Sequence, residues 1–349
     1  MTVTDTAESW LIDGSLNTIG RTSSSRFLSF IKLSIGSIFV GKTHFKDNLT
    51  TLGDVLMGPA HPTRIGKDFF SLVSAPNMKA LYTPGEKHKS YFVQFGAELD
   101  RKVIGTFETD FVPYFHAVSA TPSSIVAHWG PFYLDLAAIP LQPWLIEGGI
   151  KWNHTLASTF FTITDRKSGK VRVVTFPGLC FSFHPVNAFD TDKEIVVDYV
   201  MYPDDSARDI FKYFLVSEVK RGQASVRQDA VLRRFRFAKE TDTLTYHDFD
   251  FANGLEFPRI NDDFSGKEYC FFYALGTFQS MKKIDLCTGK VVVWNPPTQS
   301  GFIAEPIFTP NPKAKSEGRL LFFPCHVFRA PLPLIVSPLR RWRSGDDLL

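Results

Sequence analysis

Short runs that alternate apolar and polar side chains with a period of two restrict this chain more than any other feature. They include SIVAHWGPFYLDL (124–136), STFFTITDRKSGKVRVVTF (158–176), EIVVDYVMY (194–202) and VLRRFRF (231–237). Successive side chains point to opposite faces of a strand, so these runs belong in sheets, and turn residues part them roughly every 10 to 15 positions. Two separators share one form: DRKSGK (165–170) and DLCTGK (285–290) each place Gly-Lys before a β-branched run, with the looser TDTLT (241–245) in a similar place. Glycine allows the left-handed backbone that a tight hairpin needs. Strand, glycine turn and strand recur without a strict period, which suggests propeller blades more than a single sandwich. Only SARDIFKYFLVSEVKRG (206–222) reads as a helix, with Ile210, Phe211, Phe214 and Leu215 on one face. The expected class is all-β, of the β-propeller type, with one or two helices in an insertion.

Composition supports a packed core. Hydrophobic residues make up 44% and charged residues 21%, and the small formal charge of +3 does not imply nucleic acid. The 34 Phe outnumber the 10 Tyr and 6 Trp together. Phe carries no polar atom to satisfy, so it suits a dry core, with a minority free to line an apolar cavity. Residues 1–328 are expected to form one domain, and 329–349, Pro-rich and then basic, a disordered or irregular tail. The four cysteines, Cys180, Cys270, Cys287 and Cys325, have no CxxC spacing. Reduced thiols in a cytoplasmic protein are the expectation. The polar, acidic start MTVTDTAESW does not read as a secretory signal, and FLSFIKLSIGSIFVG (27–41) is broken by Lys32 and Gly36. It falls short of the about 20 residues a membrane helix needs, so a strand pair is expected there. Peripheral contact of an apolar rim with a membrane stays compatible with this reading.

Of the nine histidines, His88 in EKHKS and His247 in TYHDF read as solvated, while His128 and His154 flank aromatics and read as structural. Three others share a setting, each closing an apolar segment ahead of small or β-breaking residues. They are His61 in GPAHPT, His116 in VPYFHAVSATP and His184 in FSFHPVNAF. Inner strands of a propeller converge on one axis, so ligands distant in sequence can meet there at one ion, and neutral imidazole is the commonest ligand. Buried core histidines are the other reading, and pattern alone leaves both open.

Six segments, in order, are similar to the carotenoid cleavage oxygenase family, the non-haem iron enzymes like the retinal pigment epithelial membrane protein. They are TTLGDVLMGPAHP (50–62), PYFHAVSATPSSIVAHWGPFYLDL (113–136), FSFHPVNAFD (181–190), GLEFPRINDDFSGKEYCFFYALG (254–276), KKIDLCTGKVVVWNPP (282–297) and AEPIFTPNP (304–312). The resemblance implies a seven-bladed propeller with Fe(II) on its axis, held by four histidines. His61, His116 and His184 match the first three. Glu256 matches the glutamate that orients His184, and Glu305 the one that serves the fourth ligand. A ligating imidazole gives its remote N–H to such a carboxylate, which fixes the tautomer and raises basicity.

The chain also departs from the family. The glutamate expected upstream to orient the second ligand is missing, and Lys42, Thr43 and His44 stand in the nearest alignment. His44 there reads as a chance residue. No HG-type motif with a fourth histidine follows AEPIF, and His326 comes too early to match it. The propeller is therefore expected to be incomplete. One reading is an Fe(II)-dependent dioxygenase, a monomer, cleaving a conjugated C=C bond of a carotenoid, apocarotenoid or stilbene-type substrate with O2. The alternative is a truncated family member with impaired catalysis, a pseudoenzyme or a remnant that binds an apolar ligand.

Overall fold

The computed structural model describes residues 8–12, 18–24, 58–59, 61–96, 101–138, 149–208, 229–276, 280–295, 302–303, 305–311, 314–321 and 324–325. Several expectations lie outside them: the stretch 27–41, His44, His326, the tail 329–349, and the helix beyond Arg208. Among the described residues no helix is long and apolar enough to cross a membrane. The chain divides into two compact units, Met1–Phe183 and His184–Leu349.

The first unit is built from antiparallel sheets. One is a four-stranded meander of Thr63–Ile65, Asp68–Ala75, His88–Phe95 and Lys102–Thr109, each strand paired with the next. Another runs in the order Val171–Pro177, Ser158–Asp165, Ser124–Trp129 and Ser119–Ala120. Their facing sides share a core in which Phe70, Leu72, Phe92, Phe107, Ile125, Ala127 and Trp129 interleave. The odd-numbered residues of Ser124–Trp129 fill this core, yet the even ones are buried too. Both faces of that strand are covered, so its alternation is one of neighbours and not of exposure. Three shorter strands, Val112–Pro113, Phe132–Leu134 and Ile150–Trp152, form a further sheet.

The second unit holds two more four-stranded meanders. One joins Pro185–Asp190, Glu194–Met201, Val231–Ala238 and Leu244–Asn253, and the other Leu255–Arg259, Phe271–Gly276, Ser280–Asp285 and Val291–Trp294. In the first of these, burial falls along the sheet: Glu194–Met201 is almost wholly buried while Leu244–Asn253 is mostly exposed. The charges of VLRRFRF are matched across the sheet by register. Arg234 lies opposite Asp198 and Arg233 opposite Asp248, each pair bidentate at 2.6–2.8 Å. Asp198, fully buried, also accepts from Tyr269 Oη at 2.7 Å. A buried carboxylate is tolerable only with such a set of donors.

The two glycine turns adopt one structure. Asp165 Oδ1 accepts from the Lys167 and Ser168 amides at 3.1 and 2.6 Å, and Gly169 takes φ +72°. Asp285 Oδ1 accepts from Cys287 and Thr288 at 3.0 and 3.3 Å, and Gly289 takes φ +75°. The cysteine expectation fails here. Cys270 and Cys287 form a disulfide with Cα atoms 5.2 Å apart. Leu286 N donates to Cys270 O at 2.8 Å, which draws the turn onto the start of the neighbouring strand. The pairing runs across a sheet, so no CxxC spacing announces it. Cys180 is buried, its amide donating to Thr159 Oγ1 at 3.0 Å.

Candidate metal centre

In the first unit, segments that carry two of the candidate ligands are laced together. His61 N donates to His116 O at 3.3 Å, His61 pairs with Ala117 in a parallel bridge, and Thr63 Oγ1 donates to Val118 O. The two imidazoles stand 5.2 Å apart between centroids, inclined at 46°. His116 is buried and His61 half-buried. Tyr114 Oη lies 2.6 Å from His116 Nδ1. Phe183 packs its edge on the His116 ring at 5.2 Å. The next residue is His184.

In the second unit, His184 stands directly before the strand Pro185–Asp190, its carbonyl accepting from Val200 N at 3.2 Å. Its Nδ1 lies 2.7 Å from Glu256 Oε2. Glu256 is 1% exposed and accepts twice more, from Tyr202 Oη on Oε1 at 2.7 Å and from Phe257 N on Oε2 at 3.0 Å. Burial, and then the Glu256 charge, raise the Tyr202 phenol well above its ordinary value, so it stays a donor. A carboxylate oxygen that accepts a hydrogen bond from His184 Nδ1 would fix the neutral imidazole in the tautomer with its proton on Nδ1.

The backbone at Glu256 is bent to this purpose. The pairing of Leu255–Arg259 with its neighbour shifts register between Glu256 and Arg259, a bulge of the kind that re-aims a side chain. Phe257 takes φ +51°, a left-handed conformation that costs a bulky residue about 1–3 kcal/mol to hold. There its amide reaches Glu256 and its ring lies 4.8 Å from that of His184. Glu305, assigned by resemblance to a fourth histidine, is ion-paired with Arg259, whose Nη2 donates to Oε1. Arg259 Nε also donates to Pro306 O at 2.9 Å.

The other histidines separate clearly. His128 is 2% exposed and its Nε2 accepts from Ser182 N at 3.0 Å, a structural role as expected. Burial pushes it down to about 3. His247 is exposed. His88 departs from expectation: it is buried at the start of its strand, and its Nδ1 accepts from Asn77 N at 3.0 Å. Charged neighbours in EKHKS hide the fact that a strand begins at the histidine. His154 is exposed in a turn, not packed among the aromatics that flank it. Another donor group, Cys270, Asp285 and Cys287, is taken up by the disulfide and the turn.

Sequence reasoning missed Tyr114, Tyr202, Phe257 and Arg259. Tyr114 had a signal, since it lies only two residues before His116 in the same apolar run. Tyr202 and Arg259 had none, because their partners are distant in sequence.

The profile of the retinal pigment epithelial membrane protein family matches residues 3–326. The chain belongs to that family. Among curated relatives, it is 28% identical to the beta,beta-carotene 15,15'-dioxygenase of Gallus gallus over 253 residues, 62% of this chain and 47% of that one. It is 24% identical to the mitochondrial carotenoid-cleaving dioxygenase of Pongo abelii over 289 residues, 68% of this chain and 50% of that one. The chain thus spans about half the length of these curated relatives. Among solved structures, a variant of the Synechocystis apocarotenoid oxygenase superposes with a TM-score of 0.64 at 17% identity, covering 93% of this chain and 63% of that one. Cobalt-substituted apocarotenoid oxygenase from the same source gives 0.63 at 18%, with the same coverage. At such identity the likeness establishes the fold, which is all-β and of the propeller type.

Proposed function

We propose that this chain is an Fe(II)-dependent dioxygenase that cleaves a conjugated C=C bond of a carotenoid, apocarotenoid or stilbene-type substrate, with His61, His116 and His184 as the metal ligands. The observation that carries this reading is the His184–Glu256 pair at 2.7 Å, a buried imidazole nitrogen held against a buried carboxylate. Two more features support it. Three neutral imidazole nitrogens suit a divalent ion with positions open for further ligands. The family also includes carotenoid-cleaving dioxygenases by name.

When bound, ferrous iron supplies the electrons that make dioxygen reactive toward a polyene. The chain's own residues do the rest. Glu256 holds the Nδ1 proton of His184 and brings a negative charge near an otherwise uncompensated cation. Tyr202 holds Glu256 in place. Phe132, Phe181 and Phe183, all nearly inaccessible, exclude water beside His116. A second reading, a family member without catalysis that binds an apolar ligand, is favoured by the Arg259–Glu305 ion pair, which engages a carboxylate the family reserves for a ligand.

The test is to purify the chain, load it with ferrous iron under argon, and measure bound iron and the bleaching of an apocarotenoid aldehyde and a stilbene. About one iron per chain with bleaching in air but not under argon supports the proposal. Iron without bleaching supports the second reading. A chain that retains no iron overturns the ligand assignment.

A further inference from the structure

His116 is buried, yet the carboxylate that the resemblance leads one to expect behind it has no counterpart in the sequence. What the structure sets there is a phenol: Tyr114 Oη stands 2.6 Å from His116 Nδ1. Neither partner is free to drift. The Tyr114 amide donates to Phe132 O at 3.0 Å, and its ring is stacked 6.0 Å from Phe181 and edge-on to Phe132 at 6.4 Å. His116 is boxed by Phe183 and His61, each 5.2 Å away.

A bond between a phenol and an imidazole nitrogen can run either way. If Tyr114 donates, the imidazole proton sits on Nε2 and the ring offers no lone pair. If Tyr114 accepts, Nδ1 carries the proton and Nε2 is bare. Only the second arrangement leaves His116 able to bind an ion.

We propose that Tyr114 is the positioning residue of His116, its phenol oxygen accepting the Nδ1 proton as Glu256 accepts that of His184. This rests on the reading of His116 as a ligand. The two supports differ in charge. Glu256 is an anion and Tyr114 a neutral phenol, so His116 is the more weakly polarised imidazole of the two. Neutral hydrogen bonds are roughly half as strong as charge-assisted ones. Removing the phenol oxygen should therefore fall at the lower end of the 10–100-fold loss that such outer partners cause, about tenfold in metal affinity.

The experiment uses the metal-free chain labelled with 15N and long-range imidazole correlations, with the His116 signals assigned through His116→Asn. The parent should show His116 protonated on Nδ1. Tyr114→Phe keeps the ring that packs on Phe132 and Phe181 while losing the oxygen, and there His116 should become a mixture of tautomers. Cobalt(II) affinity should fall about tenfold in that variant, with an altered ligand-field spectrum, while the His184 tautomer stays fixed. An Nε2-protonated His116 in the parent overturns the proposal, and that measurement needs no variant to fold. An unchanged tautomer and cobalt affinity in Tyr114→Phe overturns it as well. If the parent binds no cobalt yet loses its fixed tautomer in Tyr114→Phe, the ligand reading falls and the role of Tyr114 stands.

Discussion

His128 in the first unit and His184 in the second are both buried imidazoles with Phe rings against them. Phe181 lies 5.1 Å from His128, and Phe257 lies 4.8 Å from His184. They differ in what holds them. His128 receives a backbone N–H on Nε2, so the nitrogen that could bind a metal is used up. His184 has its Nδ1 2.7 Å from a Glu256 carboxylate oxygen. Burial among aromatics therefore does not make a ligand. Under the proposed reading, the partner on the remote nitrogen does.

That contrast can be broken most severely by acid. His128 sits at about 3 in the folded chain because burial disfavours its charged form. The unfolded chain, with an ordinary value near 6.5, takes up the proton first. The stabilising contribution is full above pH 6.5 and drains as pH falls toward 3, in total on the order of 5 kcal/mol. Urea midpoints from pH 7 to pH 4 should fall more steeply for the parent than for His128→Gln, whose side-chain oxygen can still accept from Ser182. Parallel slopes would show that His128 does not titrate with unfolding.

Next comes the other member of the pair. Glu256→Gln keeps the shape but removes the charge that claims the His184 proton. Iron or cobalt affinity should drop about 10–100-fold, or about 1–3 kcal/mol, with little change in fold. Equal metal retention in parent and variant would assign Glu256 a purely structural task.

The smallest effects come from the two matching turns, one in each unit. A Cβ at Gly169 would meet Ile104 O at 2.5 Å, whereas one at Gly289 would meet only the Phe251 ring at 3.6 Å. Both residues are left-handed, which costs an alanine about 1–2 kcal/mol. Gly169→Ala should therefore lower the midpoint of thermal unfolding more than Gly289→Ala. The reverse order would mean that the Ile104 backbone yields freely.

Much of the sheet structure was legible because its causes are local. In DRKSGK and DLCTGK an aspartate caps the amides two and three residues on, and a glycine takes the left-handed position. These capping bonds all lie within six residues, so spacing alone specifies them. The three histidines could be singled out for a similar reason, by the small or β-breaking residues directly after each of them in the chain. His88 escaped because charged neighbours masked the first residue of a strand. Cys270 and Cys287 escaped because only sheet register sets them side by side.

By itself, then, the sequence determined the strands, the turns and the identity of the candidate ligands. The resemblance already named Glu256 behind His184, but only the tertiary structure decided what stands behind His116 and what holds Glu256 in place. Glu256 reaches His184 across 72 positions and Tyr202 reaches Glu256 across 54. A bulge and the left-handed Phe257 aim that carboxylate, and neither leaves a mark in residue spacing. The same holds for Arg259, which takes Glu305 across 46 positions. Local hydrogen bonds and side-chain period are written into neighbouring residues. A buried carboxylate finds its donors only after distant strands have packed and water has left, so its partners are a property of the fold.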